Sequence, residues 1–335
     1  MDLIEQVKAK AKETPQRVAF PEGDEAPILE AAARAAIEGY AYPVVVGDTA
    51  AVTAFLTEAG CPMHQVTVVD PADEALVARI AEEYVAAHPL MSAKSAARTA
   101  RDPLGLAAMC VATGRADTMV GGLRYTTGDV ILQSQVIIGL AQGISTISSV
   151  GIWDIPGFEG SEGSLLAHAD CAVVAAPTPS ELADIAICSA DTVSALLGWE
   201  PRIAMLSFST RGSAIHERVD QVVEATNLVR ERRPDLLVDG EFQLDTAIDP
   251  KTAAKKVKDD SPVAGRANIL VFPDLGAGNI GVKLVQRFAH GKAYGPLIQG
   301  LARPVGDLSR GATTDEIIGV VAIAVVRSAA QGGVA

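Results

Sequence analysis

The chain has 335 residues, 49% hydrophobic but only 4% aromatic, with 41 acidic against 28 basic side chains and a net charge of −13. Such a chain can bury an aliphatic core without covalent staples, and its length suits two domains better than one. The acidic balance argues against nucleic-acid binding, which needs clustered Lys and Arg, and no apolar run is long and unbroken enough to span a bilayer. The N-terminal MDLIEQVKAKAKE reads as a charged amphipathic helix rather than a secretion signal, so a soluble cytoplasmic protein is expected. The four cysteines have no C-x-x-C spacing. Cys110, Cys171 and Cys188 sit in apolar surroundings and read as buried thiols, Cys61 as a loop residue, and none as a metal ligand.

In chain order, a helix over 1–13 leads into a strand at 18–20 and the segment Pro-Glu-Gly-Asp at 21–24. An alanine-rich helix over 26–39 ends at glycine, and YPVVVG at 42–47 has the β-branched run of a parallel strand. Helix 49–59, strand 65–70 and helix 73–87 continue a doubly wound alternation. No G-x-G-x-x-G follows the first strand, so the dinucleotide fingerprint is missing. Two helices over 93–101 and 103–113 precede a strand at 118–121. The middle of the chain reads as strand 143–150, a loop over 151–156, a hairpin tip at 157–163 and a strand at 170–175. Then follow helix 180–198, strand 203–207, helix 219–233 and strand 236–240. The domain junction is inferred near 143–150.

Four corners could face an anion. At 121–129, GGLRYTTGD ends a strand on two glycines and sets Thr126, Thr127 and Asp129 at a helix start; these residues offer donors, and equally serve as an N-cap. SFSTRGSA at 207–214 carries hydroxyls with Arg211 and Gly212. A strand over 268–272 runs into a turn of Gly276, Gly278 and Gly281, with a helix expected from about Ile280 and Lys283 on it. The apolar run 294–301 leads to a polar loop at 304–311 containing Arg310, and a helix begins near Thr313. None of the five histidines has a catalytic context, and no G-x-S-x-G is present. His88, His168 and His290 read as structural or solvated.

TPSELADIA (178–186), EPRIAMLSFSTRGSA (200–214), RPDLLVDGE (233–241), FPDLGAGNIGVKLVQR (272–287), AYGPLIQGL (293–301) and RPVGDLSRG (303–311) occur in order with compatible spacing. Together they resemble the phosphate acetyltransferase (phosphotransacetylase) family, over nearly the whole chain. The resemblance implies two three-layer α/β/α domains with mostly parallel sheets, laid out like isocitrate and isopropylmalate dehydrogenases, with a cleft between the domains. It implies domain I from residues 1–145 plus 296–335, domain II from 146–295, and a homodimer. The cleft would gather 121–129, 207–212 and the segments around 272–316.

The implied reaction is reversible transfer of an acetyl group between acetyl phosphate and coenzyme A, in a ternary complex, with coenzyme A as substrate, no tightly bound cofactor and no metal. A free thiol titrates near pH 8.5, so a base must draw off its proton. The carbonyl oxygen gains charge in the transition state, and the leaving phosphate needs a cation. By resemblance, Arg310 binds and polarises the acyl phosphate and Ser309 hydrogen-bonds the thiol sulfur. The family's Asp seven residues after that Ser is Glu316 here, expected as general base with Asp315 as runner-up; the acidic pair also suits the first turn of a helix. Asn279, Lys283, Tyr294 and Gly295, then Thr126 and Thr127, are expected to contact substrate.

Two basic features of the family are replaced: AAHPLMS stands at 86–92, and Asp129 is followed by VILQS. The resemblance ties those arginines to coenzyme A. Here the grip passes to cations such as Arg124, Arg211 or Lys94, or the acyl preference has moved to propanoyl or butanoyl, or the chain senses acyl-coenzyme A without turnover.

Overall fold

The computed structural model describes residues 3–332. Its strands, in chain order, are β1 (Gln16–Phe20), β2 (Ala41–Val46), β3 (Thr67–Val69), β4 (Thr118–Gly121), β5 (Ser148–Asp154), β6 (Leu165–Ala169), β7 (Arg202–Leu206), β8 (Leu237–Phe242), β9 (Ile269–Val271), β10 (Lys292–Gln299) and β11 (Val305–Asp307). The chain divides into two compact units, one of Met1–Ala141 with Leu301–Ala335 and one of Gln142–Gly300.

The first unit is built on a sheet of order β11-β4-β1-β2-β3, parallel throughout. Val18, Ala19 and Phe20 are buried at consecutive positions of β1. Side chains alternate across a strand, so both faces of the sheet are covered, as a parallel sheet requires. Part of that cover is the helix Thr314–Ala330, which packs on β1, β4 and β11 and against the helices Leu3–Glu13 and Ala26–Glu38. Its sequence TDEIIGVVAIAVVRSAA is apolar almost all round, and Ile317, Val321 and Val325 are fully buried. The expected helix over 1–13 runs Leu3–Glu13, and Met1 and Asp2 lie outside the described residues.

The second unit carries a mixed sheet of order β10-β5-β6-β9-β7-β8, antiparallel from β10 to β6 and parallel from β6 to β8. The 19-residue helix Pro179–Leu197 packs along it, opened by a capping box in which Thr178 and Glu181 satisfy each other's backbone N–H and closed by Gly198 in the left-handed region.

Three local expectations are corrected. The strand expected at 143–150 is β5 and runs through 154, because each of its edges is paired, to β6 and to β10. Segment 170–175 is a turn, not a strand. Buried Asp170 winds it, its carboxylate accepting the backbone N–H of Ala172, Val173 and Val174 and the hydroxyl of Ser149. The helix expected from Ile280 starts at Leu275, because Asp274 caps it by accepting from the Ala277 N–H at 2.8 Å. Its glycines lie inside the helix. A Cβ on Gly278 would stand 2.3 Å from the Asp170 carbonyl oxygen, so that glycine is a packing requirement rather than a turn. Cys61 lies in a loop, as expected, and is buried like the other three thiols.

Candidate active site

Strands β11, β4 and β1 are adjacent, parallel and end at the same edge of the first unit's sheet. The crevice outside the carboxyl ends of such strands is where open α/β sheets bind ligands. Three loops meet there. The first follows β1 and carries Glu22, which is 2% exposed. Its carboxylate accepts the backbone N–H groups of Gly122 (3.0 Å), Leu123 (3.1 Å) and Arg124 (2.6 Å), and so fixes the second loop, which leaves β4. Gly122 takes a φ of 117°, and a Cβ there would come within 2.8 Å of Asp307 Oδ1 and 3.0 Å of Leu308 N. Only glycine lets the second loop lie this close to the third, which leaves β11. Leu308 N–H closes the contact by donating to the Gly121 carbonyl at 2.9 Å.

The third loop presents the expected pair. Leu308 is buried as an anchor, while Ser309 and Arg310 are exposed on a turn tied by the Ala312 N–H to the Ser309 carbonyl at 2.9 Å. Many of the chain's arginines sit on carboxylates, as Arg17 does on Asp117 and Arg233 on Asp191 and Asp235. Arg310 pairs with none among the described residues, so its guanidinium is open to an anion. Just before it, Asp307 accepts the Thr127 hydroxyl on Oδ2 at 2.6 Å, while its buried Oδ1 finds no partner among the described residues. Burial pushes the Asp307 carboxyl above the usual range, opposed by the Thr127 hydrogen bond and aided by the charge of Glu22.

Glu316 lies in the first turn of the helix Thr314–Ala330. Its Oε2 accepts the N–H of Thr313 at 2.8 Å and the Thr313 hydroxyl at 3.0 Å, while the Glu316 N–H donates back to that hydroxyl, a complete capping box. Oε1 takes no hydrogen bond among the described residues. Asp315 is held by Arg34 at 2.7 Å. Thr126 is likewise absorbed into a capping box with Asp129, whereas Thr127 is spent on Asp307. The site thus brings Ser309, Arg310, Glu316, Thr126 and Thr127 onto loops and helix starts of one unit.

The remaining candidates belong to the second unit. Asn279 donates its amide to the Cys171 carbonyl at 3.1 Å. Lys283 is exposed on the helix Leu275–Phe288 and has no acidic partner among the described residues. Tyr294 is buried in β10 with the Lys292 ammonium 4.9 Å from its ring centre. Gly295, at φ 126°, sits where the β10–β5 register shifts, with a virtual Cβ 3.1 Å from the Val150 carbonyl. The corner 207–214 wraps buried Glu241, which accepts from Ser209 Oγ at 2.7 Å and Gly212 N at 2.8 Å. Arg211 there is paired with Asp239 at 2.7 Å and Asp259 at 3.0 Å, so its charge is compensated. Arg124 is paired as well, with Asp24 and with Glu25.

Glu22 and Asp307 were not picked from sequence. The one available signal was position, Glu22 in the Pro-Glu-Gly-Asp segment just past a strand and Asp307 two residues before Ser309. Among the described residues no group of three or more His, Cys, Asp or Glu could hold a metal ion, and no helix is long and apolar enough to cross a membrane.

Comparison with known proteins agrees on one assignment. The profile of the family described as phosphate acetyl/butaryl transferase matches residues 2–325. The chain is 44% identical to the phosphate acetyltransferase of Clostridium acetobutylicum over 336 residues, covering 100% of both chains. It is 39% identical to that of Thermoanaerobacterium thermosaccharolyticum, covering 98% of this chain and 100% of the relative. A crystal structure of a phosphotransacetylase from Streptococcus pyogenes superposes with a TM-score of 0.89 at 37% identity, covering 98% of each chain.

Proposed function

We propose, because this chain belongs to the phosphate acetyl/butaryl transferase family, that it catalyses the reversible transfer of an acetyl group between acetyl phosphate and coenzyme A. The observation that carries the reading is the exposed Ser309–Arg310 turn at the end of β11, with a guanidinium that no carboxylate of the described residues neutralises.

In the direction of thioester synthesis, Glu316 takes the thiol proton through the Oε1 that its cap leaves open. The sulfur forms a bond to the acetyl carbon, the carbonyl oxygen takes up negative charge, and the C–O bond to phosphate then breaks. Arg310 holds the phosphoryl oxygens before and after that break, and a planar guanidinium fits them in bidentate fashion. Ser309 donates to the developing sulfur and oxygen charges. Thr126 and Thr127 act from the neighbouring helix start, Thr127 through Asp307. Asn279, Lys283, Tyr294 and Gly295 complete the substrate contacts in this reading.

The reading includes a cytoplasmic homodimer. Four reduced thiols are in keeping with a reducing compartment. Ile280, Leu284 and Phe288, all exposed at helical spacing on Leu275–Phe288, support a second copy as the cover for that stripe.

The test is phosphate-dependent release of free thiol from acetyl-, propanoyl- and butanoyl-coenzyme A, with Arg310→Ala in parallel. Fastest turnover of the acetyl thioester and loss of activity in the variant are expected. Faster turnover of a longer chain moves the substrate within the family, and binding without turnover by the wild type refutes the enzyme.

A further inference from the structure

The first unit has a second anion-ready place that no step above uses. The short helix Ala93–Thr99 and the turn after it line a cavity of ≈ 440 Å³ with Ser92, Lys94, Ser95, Ala97, Arg98 and Arg101. Lys94, Arg98 and Arg101 recur at a spacing of four and three, so the helix and its continuation aim them to one side. All three are exposed, and none of their side chains makes an ion pair or hydrogen bond among the described residues. In a chain of net charge −13, where carboxylates outnumber Lys and Arg by 41 to 28, a stripe of three uncompensated cations stands out. Like charges at this spacing repel and weaken a helix, so the stripe works against folding unless an anion answers it.

The cavity is also wired to the Ser309–Arg310 turn. Asp102 follows Arg101 directly, and its Oδ1 accepts the Tyr125 hydroxyl at 2.9 Å. Two residues beyond Tyr125, Thr127 donates to Asp307 at 2.6 Å, and Asp307 stands two residues before Ser309. Two side-chain hydrogen bonds and short runs of main chain therefore tie the rim of the basic cavity to the reacting turn, all within one unit.

We infer that the Lys94–Arg98–Arg101 cavity binds the phosphate cluster of coenzyme A, its 3′-phosphorylated ADP end. This rests on the acyltransferase reading above. Of the cations named as examples for that role under the resemblance, Arg124 and Arg211 are held by carboxylates, and Lys94 meets none among the described residues. The ligand class follows from chemistry. A phosphomonoester carries about −1.5 to −2 charges at neutral pH, and a diphosphate lies beside it in coenzyme A, so three converging cations meet a polyanion rather than a single carboxylate. Against the protein's negative field, binding of that polyanion depends on such a local positive site.

The probe is 3′-phosphoadenosine 5′-diphosphate, titrated calorimetrically into the intact protein. The Lys94→Ala/Arg98→Ala/Arg101→Ala variant is compared with a charge-matched control, Lys251→Ala/Lys255→Ala/Lys258→Ala, whose exposed lysines lie elsewhere. Affinity is expected to fall about tenfold or more in the first variant, as for three exposed ion pairs lost together, and to hold in the control. In turnover, the preference for acetyl-coenzyme A over acetylpantetheine, which lacks every phosphate, is expected to collapse by a similar factor. Equal weakening in both triple variants would trace the effect to net charge and overturn the proposal, as would unchanged affinity in the first. Single Arg98→Lys keeps the charge and is expected to restore most of the loss seen in Arg98→Ala; its failure to do so, with the fold intact by circular dichroism, counts against a charge site. Calorimetry needs no turnover, so a wild type that binds the probe without cleaving thioester refutes the enzyme reading alone.

Discussion

Replacing Glu316 separates the cap that the structure shows from the base role proposed for the same side chain. Its Oε2 closes the capping box with Thr313, through contacts of 2.8 and 3.0 Å, and its Oε1 takes no hydrogen bond among the described residues. Glutamine at this third helical position keeps the box but cannot accept a proton. Glu316→Gln is therefore expected to keep the cap, to lose up to about 1 kcal/mol of stability with the charge at the helix N-terminus, and to lower kcat. A positioned general base contributes about 10²- to 10⁴-fold, or roughly 3 to 5 kcal/mol of barrier. Glu316→Ala removes base and cap together. It is expected to lose activity to the same extent and, in addition, about 1 kcal/mol of stability from the cap, plus up to about 1 kcal/mol from the lost charge at the helix N-terminus. The assays are thiol release under saturating acetyl-coenzyme A and phosphate, and thermal unfolding by circular dichroism. Wild-type kcat in Glu316→Gln across pH 6 to 9 would refute the assignment and leave Glu316 as a cap only. Asp315→Asn would be next, although Asp315 is committed to Arg34 at 2.7 Å.

Two further predictions concern buried titrating groups. Burial drives His168 down to about 4, and its Nδ1, between Trp153 and Phe272, has no hydrogen-bond partner among the described residues. The folded pKa lies below the unfolded value of 6.5, so the unfolded chain binds the proton first as pH falls. Stability should drop between pH 6.5 and 4 by about 3 kcal/mol from this group alone. Urea midpoints of wild type minus His168→Phe should show that slope; a pH-independent difference would sink it. Asp307 is the opposite case, its carboxyl raised by burial despite the Thr127 hydrogen bond and with help from Glu22. The native state keeps the proton longer than the unfolded state, so its contribution is fully present below the unfolded pKa and is lost as pH rises through the folded one. Asp307→Asn keeps an acceptor for Thr127 and has no charge to bury. Its stability relative to wild type should therefore improve on going from pH 4 to pH 8 in urea titrations, and a flat difference would mean the carboxyl is not shifted.

What could be read from the sequence was local, and what could not depended on pairs far apart in the chain. The helix starts at Thr126, Thr178 and Thr313 are marked by residues that satisfy their own neighbours, so a window of a few residues holds the whole cause. The Gly276–Gly281 stretch misled because glycine has two uses. It reads as a turn when only local freedom is considered, yet Gly278 is needed because the Asp170 carbonyl, 108 residues earlier, lies where a Cβ would be. Segment 170–175 failed for a related reason: CAVVA looks like a strand until the buried Asp170 carboxylate gathers three backbone N–H groups and bends it. The same division holds at the site. Ser309 and Arg310 stand out as a motif, but nothing near Glu22 shows that its carboxylate will receive three N–H groups from 122–124. That contact exists because β4 pairs with β1 although two strands intervene in sequence. Sheet order therefore decides which loops meet, and a carboxylate at the end of one strand becomes the support for a loop at the end of the next. Arg310 fits the same logic: it is available for phosphate because the fold gives Arg124 and Arg211 their carboxylates and gives Arg310 none among the described residues.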